Sequence, residues 1–482
     1  MAYLGWLLVG LLIGGAAVAL FARRRMAESR QYGGTTISSL LAAHFHPTPM
    51  GEITISERRF PFRVRADLQR AIDQLFTDQT HILHFCGVAR EYSHEGVSFS
   101  GCIIETESNF AVSSAPEYEE INIGEDKPIR ALKVGLWLLE RNGVRFAVLL
   151  GPLGVLEQAP GMRFQVATPN STEGTSITQG FFNHLEQSIL KSDSYRGKIL
   201  SLEEGGHSYS GRSTAITVHK LRTVERDQVI LPASTLSLLE RNVIQFVKQR
   251  ERLSKFRQAT KKGLLFYGPP GTGKTHTIHY LARALEGHTT LLVSAEQVGL
   301  LSEYMTLARL LPPSIVVLED VDLIARNRED MNSVCEEVLL NKLLNEMDGL
   351  TEEADILFLL TTNRPEALEA ALASRPGRID QAIEFPLPDD AGRGKLVTLY
   401  AKDARLPPDV VAEIVRRTEG VSAAFIKELL RRIIQFHIER DGDGEINRDD
   451  VDSALDEMLF KGGSLNLKLL GAGRLGEGTL SR

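Results

Sequence analysis

The sequence predicts an α/β protein built on a parallel sheet with a phosphate-binding loop. An α+β or α/β middle domain and one N-terminal transmembrane helix precede that sheet. Three observations predict this. Residues 268–275 read Gly268-Pro269-Pro270-Gly271-Thr272-Gly273-Lys274-Thr275, the G-x-x-x-x-G-K-[ST] spacing, after the apolar run Gly263 to Tyr267 and before helix-like His276 to Leu285. Strand-like and helix-like segments alternate from Gly263 to Phe385, the pattern of a parallel sheet flanked by helices. Nothing from Ala2 to Ala22 is charged. With 482 residues, 43% of them hydrophobic and 24% charged, the chain can bury a core in each of two or three domains.

The first element is the apolar span. A helix over residues 1–22 is about 30 Å long, the thickness of a bilayer's hydrocarbon core. Arg23-Arg24-Arg25 follow it and no basic residue precedes it, so the positive-inside rule places the remainder in the cytoplasm. A cleavable signal peptide would carry its basic residues before the apolar run, so the span reads as a retained anchor. Gly10-x-x-x-Gly14 matches a helix-pairing spacing, but glycine is common in membrane helices and the motif is read as composition.

Residues 23–56 are polar, with Gly33-Gly34 and Pro47 and Pro49, and read as a juxtamembrane linker with one short helix near Ile37 to Phe45. The middle domain, 57–204, mixes periods. Ile129, Leu132, Leu136 and Leu139 fall at helical spacing and predict a helix over Pro128 to Asn142, followed by a strand over Val144 to Leu150. His81, His84, His94, Cys86 and Cys102 have no metal-site spacing, and the three cysteines, Cys335 included, form no C-x-x-C pair. His94-Glu95 is not part of an H-E-x-x-H motif, which removes a zinc protease. A connector, 205–230, contains a strand beginning near Ile216, and Leu238 through Arg250 reads as a helix. The net charge of −7 and the anchor argue against nucleic acid as the partner.

The loop itself has a defined chemistry. Its glycines let backbone N–H groups turn around a phosphate, and the following helix points its positive end at the same anion. Lys274 would reach the β- and γ-phosphates, and the Thr275 hydroxyl would bind magnesium. The apolar strand Ser314 to Leu318 ends in Glu319-Asp320, followed by Val321-Asp322. Carboxylates at the end of a buried strand beside such a loop orient the metal with its waters and activate the attacking water.

Together with the loop, four motifs in order give the chain its resemblance to the AAA family of ring-forming ATPases, from about Leu231 to Phe460. They are Lys262-Gly263-Leu264-Leu265-Phe266-Tyr267, Leu343-Leu344-Asn345-Glu346-Met347-Asp348-Gly349, Thr361-Thr362-Asn363-Arg364-Pro365 and Ser374-Arg375-Pro376-Gly377-Arg378-Ile379-Asp380. The resemblance implies a P-loop NTPase domain over 231–388 and a helical lid over 389–461; beyond Gly462-Gly463 the glycine-rich 462–482 reads as a flexible tail. The resemblance also implies ATP and Mg2+ as cofactors and a homo-oligomeric ring, a hexamer, that acts on a protein client. Asn363 then corresponds to the residue that positions the attacking water. Arg375 and Arg378 correspond to arginine fingers that reach the neighbouring subunit's nucleotide, where a guanidinium delivered in trans stabilises the transferred phosphoryl group. Gly420 to Ala424 resembles the start of the lid helix over the base.

Two features depart from the family. The acidic pair runs Glu319 then Asp320 instead of aspartate then glutamate, so the expected base, Asp320, is one methylene shorter, a shift of about 1.5 Å where catalysis tolerates less. The same inverted order occurs in a branch similar to the mitochondrial translocase for the Rieske iron–sulfur protein, which also has a membrane helix before its ATPase domain. In the pore segment, Tyr304 is the aromatic that would grip a threaded chain, yet no glycine follows it. Residues 439–450 resemble a calcium loop but have Glu first and Asp last, the reverse of what its ligand geometry requires. Two functions stay open at this point: an ATPase that remodels or moves a protein client, and an ATP-binding membrane scaffold that scarcely hydrolyses.

Overall fold

A computed structural model describes residues 35–76, 80–90, 96–104, 110–154, 161–191, 193–204, 214–324, 345–346, 349, 354–366, 378–440 and 444–461. The span 1–22 and the tail 462–482 lie outside the described residues, as does Arg375. Among the described residues no helix is long and apolar enough to cross a membrane. The chain divides into two compact units, residues 1–194 with 203–217, and residues 195–202 with 218–482.

The first unit is built on an antiparallel sheet. Its strands are β1 (Ile53–Pro61), β2 (His81–Arg90), β3 (Ala111–Ser114), β4 (Glu117–Ile121), β5 (Ile129–Arg141), β6 (Val144–Pro152) and β7 (Gly161–Pro169), in the order β1-β7-β6-β5-β2-β3 with β4 also paired to β5. Helix α1 (Ile37–Phe45) covers one face, where Ile37, Leu41 and Phe45 pack with Ala147 and Leu149. Helices α2 (Arg65–Leu75) and α4 (Thr172–Lys191) pack on each other and on the sheet, α2 against β5 and α4 against β6 and β7. On that face Phe181 of α4 meets Phe146 edge-on at 5.4 Å. The short α3 (Phe99–Ile103) joins the first core through Phe99 and Cys102.

Two sequence expectations are corrected here. The predicted helix over Pro128 to Asn142 is the thirteen-residue strand β5. Its residues Leu136 to Leu139 are all buried, because the sheet is covered on both faces, and a strand buried on both faces shows no alternation. The helical spacing of its leucines is therefore incidental. Asn142 and Gly143, with φ of 51° and 78°, close the two-residue turn into β6 and register Arg141 against Val144. The second correction concerns residues 35–56, expected as linker. Thr36 caps α1, accepting from Ser39 N at 3.4 Å, and both α1 and β1 belong to the unit's core, so this domain begins well before residue 57.

The second unit contains the expected parallel sheet. Strands β8 (Ile199–Glu204), β9 (Thr214–His219), β10 (Lys262–Tyr267), β11 (Thr289–Val293), β12 (Ser314–Leu318), β13 (Ile356–Thr362) and β14 (Gln381–Glu384) run in the order β14-β10-β13-β12-β11-β8-β9, and the boundary between the units falls within β8 and β9. All pairings from β14 to β8 are parallel. Helix α5 (Ala233–Leu239) continues through a wider turn, 240–245, into α6 (Phe246–Lys255). Leu239 and Val243 of this segment share a core with Ile278 and Leu281 of α7 (Lys274–Ala284) and with Leu264, Phe266, Val317 and Leu359 of the sheet. Helix α8 (Leu301–Leu310) packs against β11 and β12. A four-residue helix, α9 (Val321–Ile324), follows β12.

The helical lid is α10 (Asp390–Ala401), α11 (Pro408–Arg417), α12 (Ala423–Arg440) and α13 (Arg448–Asp456), packed around Val397, Ile414, Phe425, Leu429 and Val451. Its turn before α13 is closed by protein partners. Asp450 is 2% exposed, accepts from Asn447 N at 3.0 Å and pairs with Arg440 at 2.8 Å, which occupies the carboxylate that a calcium loop would need.

Candidate functional site

Three pieces of the second unit meet around a cavity of about 390 Å³: the loop between β10 and α7, the carboxyl ends of β12 and β13, and the lid. The glycines make the first piece possible. Gly268, Gly271 and Gly273 have φ of 144°, 76° and 100°, a region open to glycine and strained for other residues. A Cβ on Gly271 would also lie 2.9 Å from Ser422 Oγ and 2.8 Å from Ala424 Cβ of the lid, and Ala424 N donates to Gly271 O at 3.1 Å. Loop and lid thus touch through backbone, with no room for a side chain.

Lys274, the first residue of α7, is 6% exposed. Its ammonium donates to Gly268 O at 2.8 Å and Pro269 O at 3.0 Å, so it is folded back onto its own loop. Burial lowers its pKa to about 8, against the opposing fields of Asp320 and Asp322. A buried cation with a depressed pKa beside a glycine cradle and a helix N-terminus fits a polyphosphate, whose charge would raise that pKa again. Thr275 lines the same cavity, where its hydroxyl would be available to a metal bound there.

The second piece is a hydrogen-bonded array. Asp320 lines the cavity, has a left-handed φ of 49°, and donates its N–H to Thr361 Oγ1 at 3.0 Å. Asn363 Nδ2 donates to Asp320 Oδ1 at 3.0 Å. Strained backbone of this kind concentrates at sites that must aim a side chain. Glu319 does not line the cavity; its N–H still pairs with Val293 O at 3.1 Å, continuing the strand's pairing beyond β12. Its charge is felt instead at His279, one turn of α7 beyond Thr275, whose pKa burial lowers and Glu319 raises.

Of the sequence-predicted residues, the structure therefore brings together the loop, Asp320 and Asn363. Arg378 stands just ahead of β14, outside this chain's own cavity. Within the same motif Asp380 has a structural task, accepting from Gly263 N at 2.7 Å and so pinning the start of β10. Tyr304 is overturned as an aromatic grip: it is fully buried, accepts from Leu202 N at 2.7 Å and donates to Gln297 at 3.0 Å, and burial pushes its phenol up to about 12. Sequence reasoning missed Thr361, Asp322 and the cavity's apolar end of Val229, Ile230 and Tyr400. The third acid of Glu319-Asp320-Val321-Asp322 was the available signal for Asp322; the apolar end had none.

Comparison with known proteins agrees with this geometry. Residues 264–387 match the family model "ATPase family associated with various cellular activities (AAA)". The ATP-dependent zinc metalloprotease FtsH 3 of Sphaerobacter thermophilus is 34% identical over 264 residues, 52% of this chain and 52% of the relative. The proteasome-activating nucleotidase of Methanopyrus kandleri is 36% identical over 231 residues, 45% of this chain and 52% of the relative. A 26S proteasome regulatory subunit 8 homolog of Encephalitozoon cuniculi is 29% identical over 324 residues, 58% of this chain and 81% of the relative. The chain thus spans about half the length of the first two relatives. Homologous AAA ATPases use ATP with Mg2+. A glycine cradle, a buried lysine and an aspartate held by an asparagine, all within a matching segment, identify residues 264–387 as an AAA-family ATPase domain with homologues among FtsH and the proteasome-activating ATPases.

Proposed function

We propose that this protein is a membrane-anchored AAA ATPase that assembles into a hexameric ring and couples ATP hydrolysis to remodelling or moving a protein client. The observation that carries the reading is the convergence of Lys274, Asp320 and Asn363 on one cavity closed by the lid. Relatives named as ATP-dependent metalloproteases and proteasome activators support a protein client. This sequence contains no H-E-x-x-H motif. The uncharged run to Ala22 and the three arginines after it support an anchor with the ATPase domain in the cytoplasm. The finer affinity, to the Rieske-protein translocase branch, rests on the order Glu319-Asp320 and on the apolar span before the ATPase domain.

In this reading the loop N–H groups and Lys274 bind the phosphates, and Lys274 exchanges its two carbonyl partners for phosphate oxygens. A magnesium ion, when bound, would neutralise phosphate charge; Thr275 would hold it directly, and Glu319, which does not line the cavity, would act on it only through metal-bound waters. Asn363 and Asp320 hold the attacking water. Its oxygen bonds to the γ-phosphorus as the bond to the bridging oxygen breaks, ADP leaves with that electron pair, and the water's proton passes to the Asp320 carboxylate. Arg375 and Arg378 of a neighbouring subunit stabilise the charge on the transferred group.

A second reading is favoured by a specific observation: Asp320 is the shorter acid and its Oδ1 is already engaged by Asn363. That arrangement suits a nucleotide-switched scaffold with little turnover. Steady-state phosphate release by the purified chain, with Asp320→Asn as control, separates the two. Release that the substitution abolishes supports the ATPase. Tight ATP binding with release no faster than in the Asp320→Asn control supports the scaffold.

A further inference from the structure

Asp322 is a buried carboxylate to which the hydrolytic scheme above gives no task. It is 3% exposed, in the first turn of α9. Its Oδ1 accepts from Thr362 Oγ1 at 2.9 Å and from Asn363 N at 3.1 Å. Thr362 Oγ1 in turn accepts from Arg364 N at 3.0 Å. The end of β13 is therefore wrapped around one carboxylate oxygen, and from this segment Asn363 extends its amide to Asp320. Thr361, the residue before, receives the Asp320 N–H. The two acids, two residues apart in the segment after β12, thus both bond to the end of the neighbouring strand β13. Burying a carboxylate is costly unless its oxygens are hydrogen-bonded, and a simple cap for a four-residue helix needs no such burial.

We infer that Asp322 is a positioning residue of the hydrolytic site: through Thr362 and the Asn363 backbone it fixes the amide of Asn363 against Asp320 and the attacking water. This rests on the hydrolytic reading, and it assigns the geometry of the Asn363–Asp320 pair to a third acid that touches neither nucleotide nor water. A positioning error of about 1 Å at a reacting group costs on the order of 100-fold in rate, so the grip is worth detecting.

The test uses the full chain and measures ATP turnover, ADP affinity and thermal stability for Asp322→Ala, Asp322→Asn, Asn363→Ala and the double Ala variant. Asp322→Ala should lose at least about tenfold in kcat while ADP affinity stays within about twofold. The double variant should be no slower than Asn363→Ala, because the two residues act as one unit. Asp322→Asn keeps the Oδ1 acceptor for both donors and should recover most of the lost turnover. Multiplying losses, an Asn variant as slow as the Ala variant, or a kcat for Asp322→Ala near wild type would each overturn the assignment. Should Asp322→Ala not fold, Thr362→Val removes one donor from the same oxygen, and its cycle with Asn363→Ala decides the question. Should wild type turn over no faster than Asp320→Asn, the hydrolytic reading itself has failed. Positioning is then decided by preference for a slowly hydrolysed ATP analogue over ADP: an equal fall in Asp322→Ala and Asn363→Ala upholds it, and an unchanged preference in Asp322→Ala overturns it.

Discussion

The two seven-stranded sheets differ in where their buried polar groups go. In the antiparallel sheet they are consumed within the fold: Gln165 accepts from Phe99 N at 2.7 Å and donates to Glu57 at 3.2 Å, while Gln69 accepts from Leu132 N at 2.9 Å. At the carboxyl edge of the parallel sheet the polar groups converge on open space instead, as buried Lys274 and half-buried Asp320 and Asn363 all line one cavity. Strand direction explains this. Parallel strands deliver all their carboxyl ends to one edge, where successive loops meet, whereas antiparallel strands spend their ends on hairpins such as Asn142-Gly143. The second sheet therefore frames the candidate site and the first carries packing.

Substitutions in each sheet can break that division. The largest effect belongs to the first sheet: Phe146→Ala, which empties a fully buried site beside Phe181, should cost about 3–5 kcal/mol of that unit's stability and leave ATP affinity per folded molecule unchanged. Chemical denaturation together with nucleotide titration checks it, and a lost ATP affinity in the folded fraction would break the division. The converse is Lys274→Ala, expected to weaken ATP binding by about 100-fold through loss of a charge-assisted contact, with the first unit's unfolding transition unmoved. Unchanged ATP affinity and turnover would remove the phosphate-loop assignment altogether.

Tyr304, on helix α8 beside the parallel sheet, is spent on packing within the second unit. Its hydroxyl is spent on Leu202 N and Gln297, the manner of the first sheet, so Tyr304→Phe should cost about 1–3 kcal/mol of stability by leaving a buried N–H unpaired. Client processing by the folded protein should not change. Intact stability with lost processing would restore the aromatic-grip role that burial contradicts.

What was legible in the sequence follows the same line. The parallel sheet and its loop could be read because phosphate binding demands glycines, lysine and threonine at fixed spacing between a strand and a helix, and Gly268 to Thr275 leaves few alternatives. Strand β5 could not, because burial on both faces erases the period that separates strand from helix, although Asn142-Gly143 was a hairpin signal in plain view. Helix α1 was found, yet its membership of the first core was not, since Thr35 to Ser56 is polar in composition and only its packing reveals Leu41 and Phe45 as buried. That Glu319 falls outside the cavity lining while Asp320 lies in it depends on backbone geometry at the end of β12, which residue identity does not encode.

The smallest effect is a pH dependence, and it tests whether Lys274 really faces a phosphate. In the free protein its pKa is lowered to about 8 by burial, with Asp320 and Asp322 opposing. A phosphate beside it raises that value, so above about pH 8 the complex holds a proton that the free protein has lost, and binding takes one up. ATP affinity should therefore be flat in this group below about pH 8 and fall by up to about tenfold per pH unit above it. Stability of the nucleotide-free protein should move the other way. The folded pKa lies below the unfolded value of 10.5, so between the two the unfolded chain binds more protons and stability rises with pH. Calorimetric titration with ATP in buffers of differing ionisation heat, beside thermal melts of the free protein, reads both signs. Lys274→Arg, which stays charged, should flatten both dependences, and a wild-type affinity that holds constant through pH 9 would mean that the buried ammonium and the phosphate never meet.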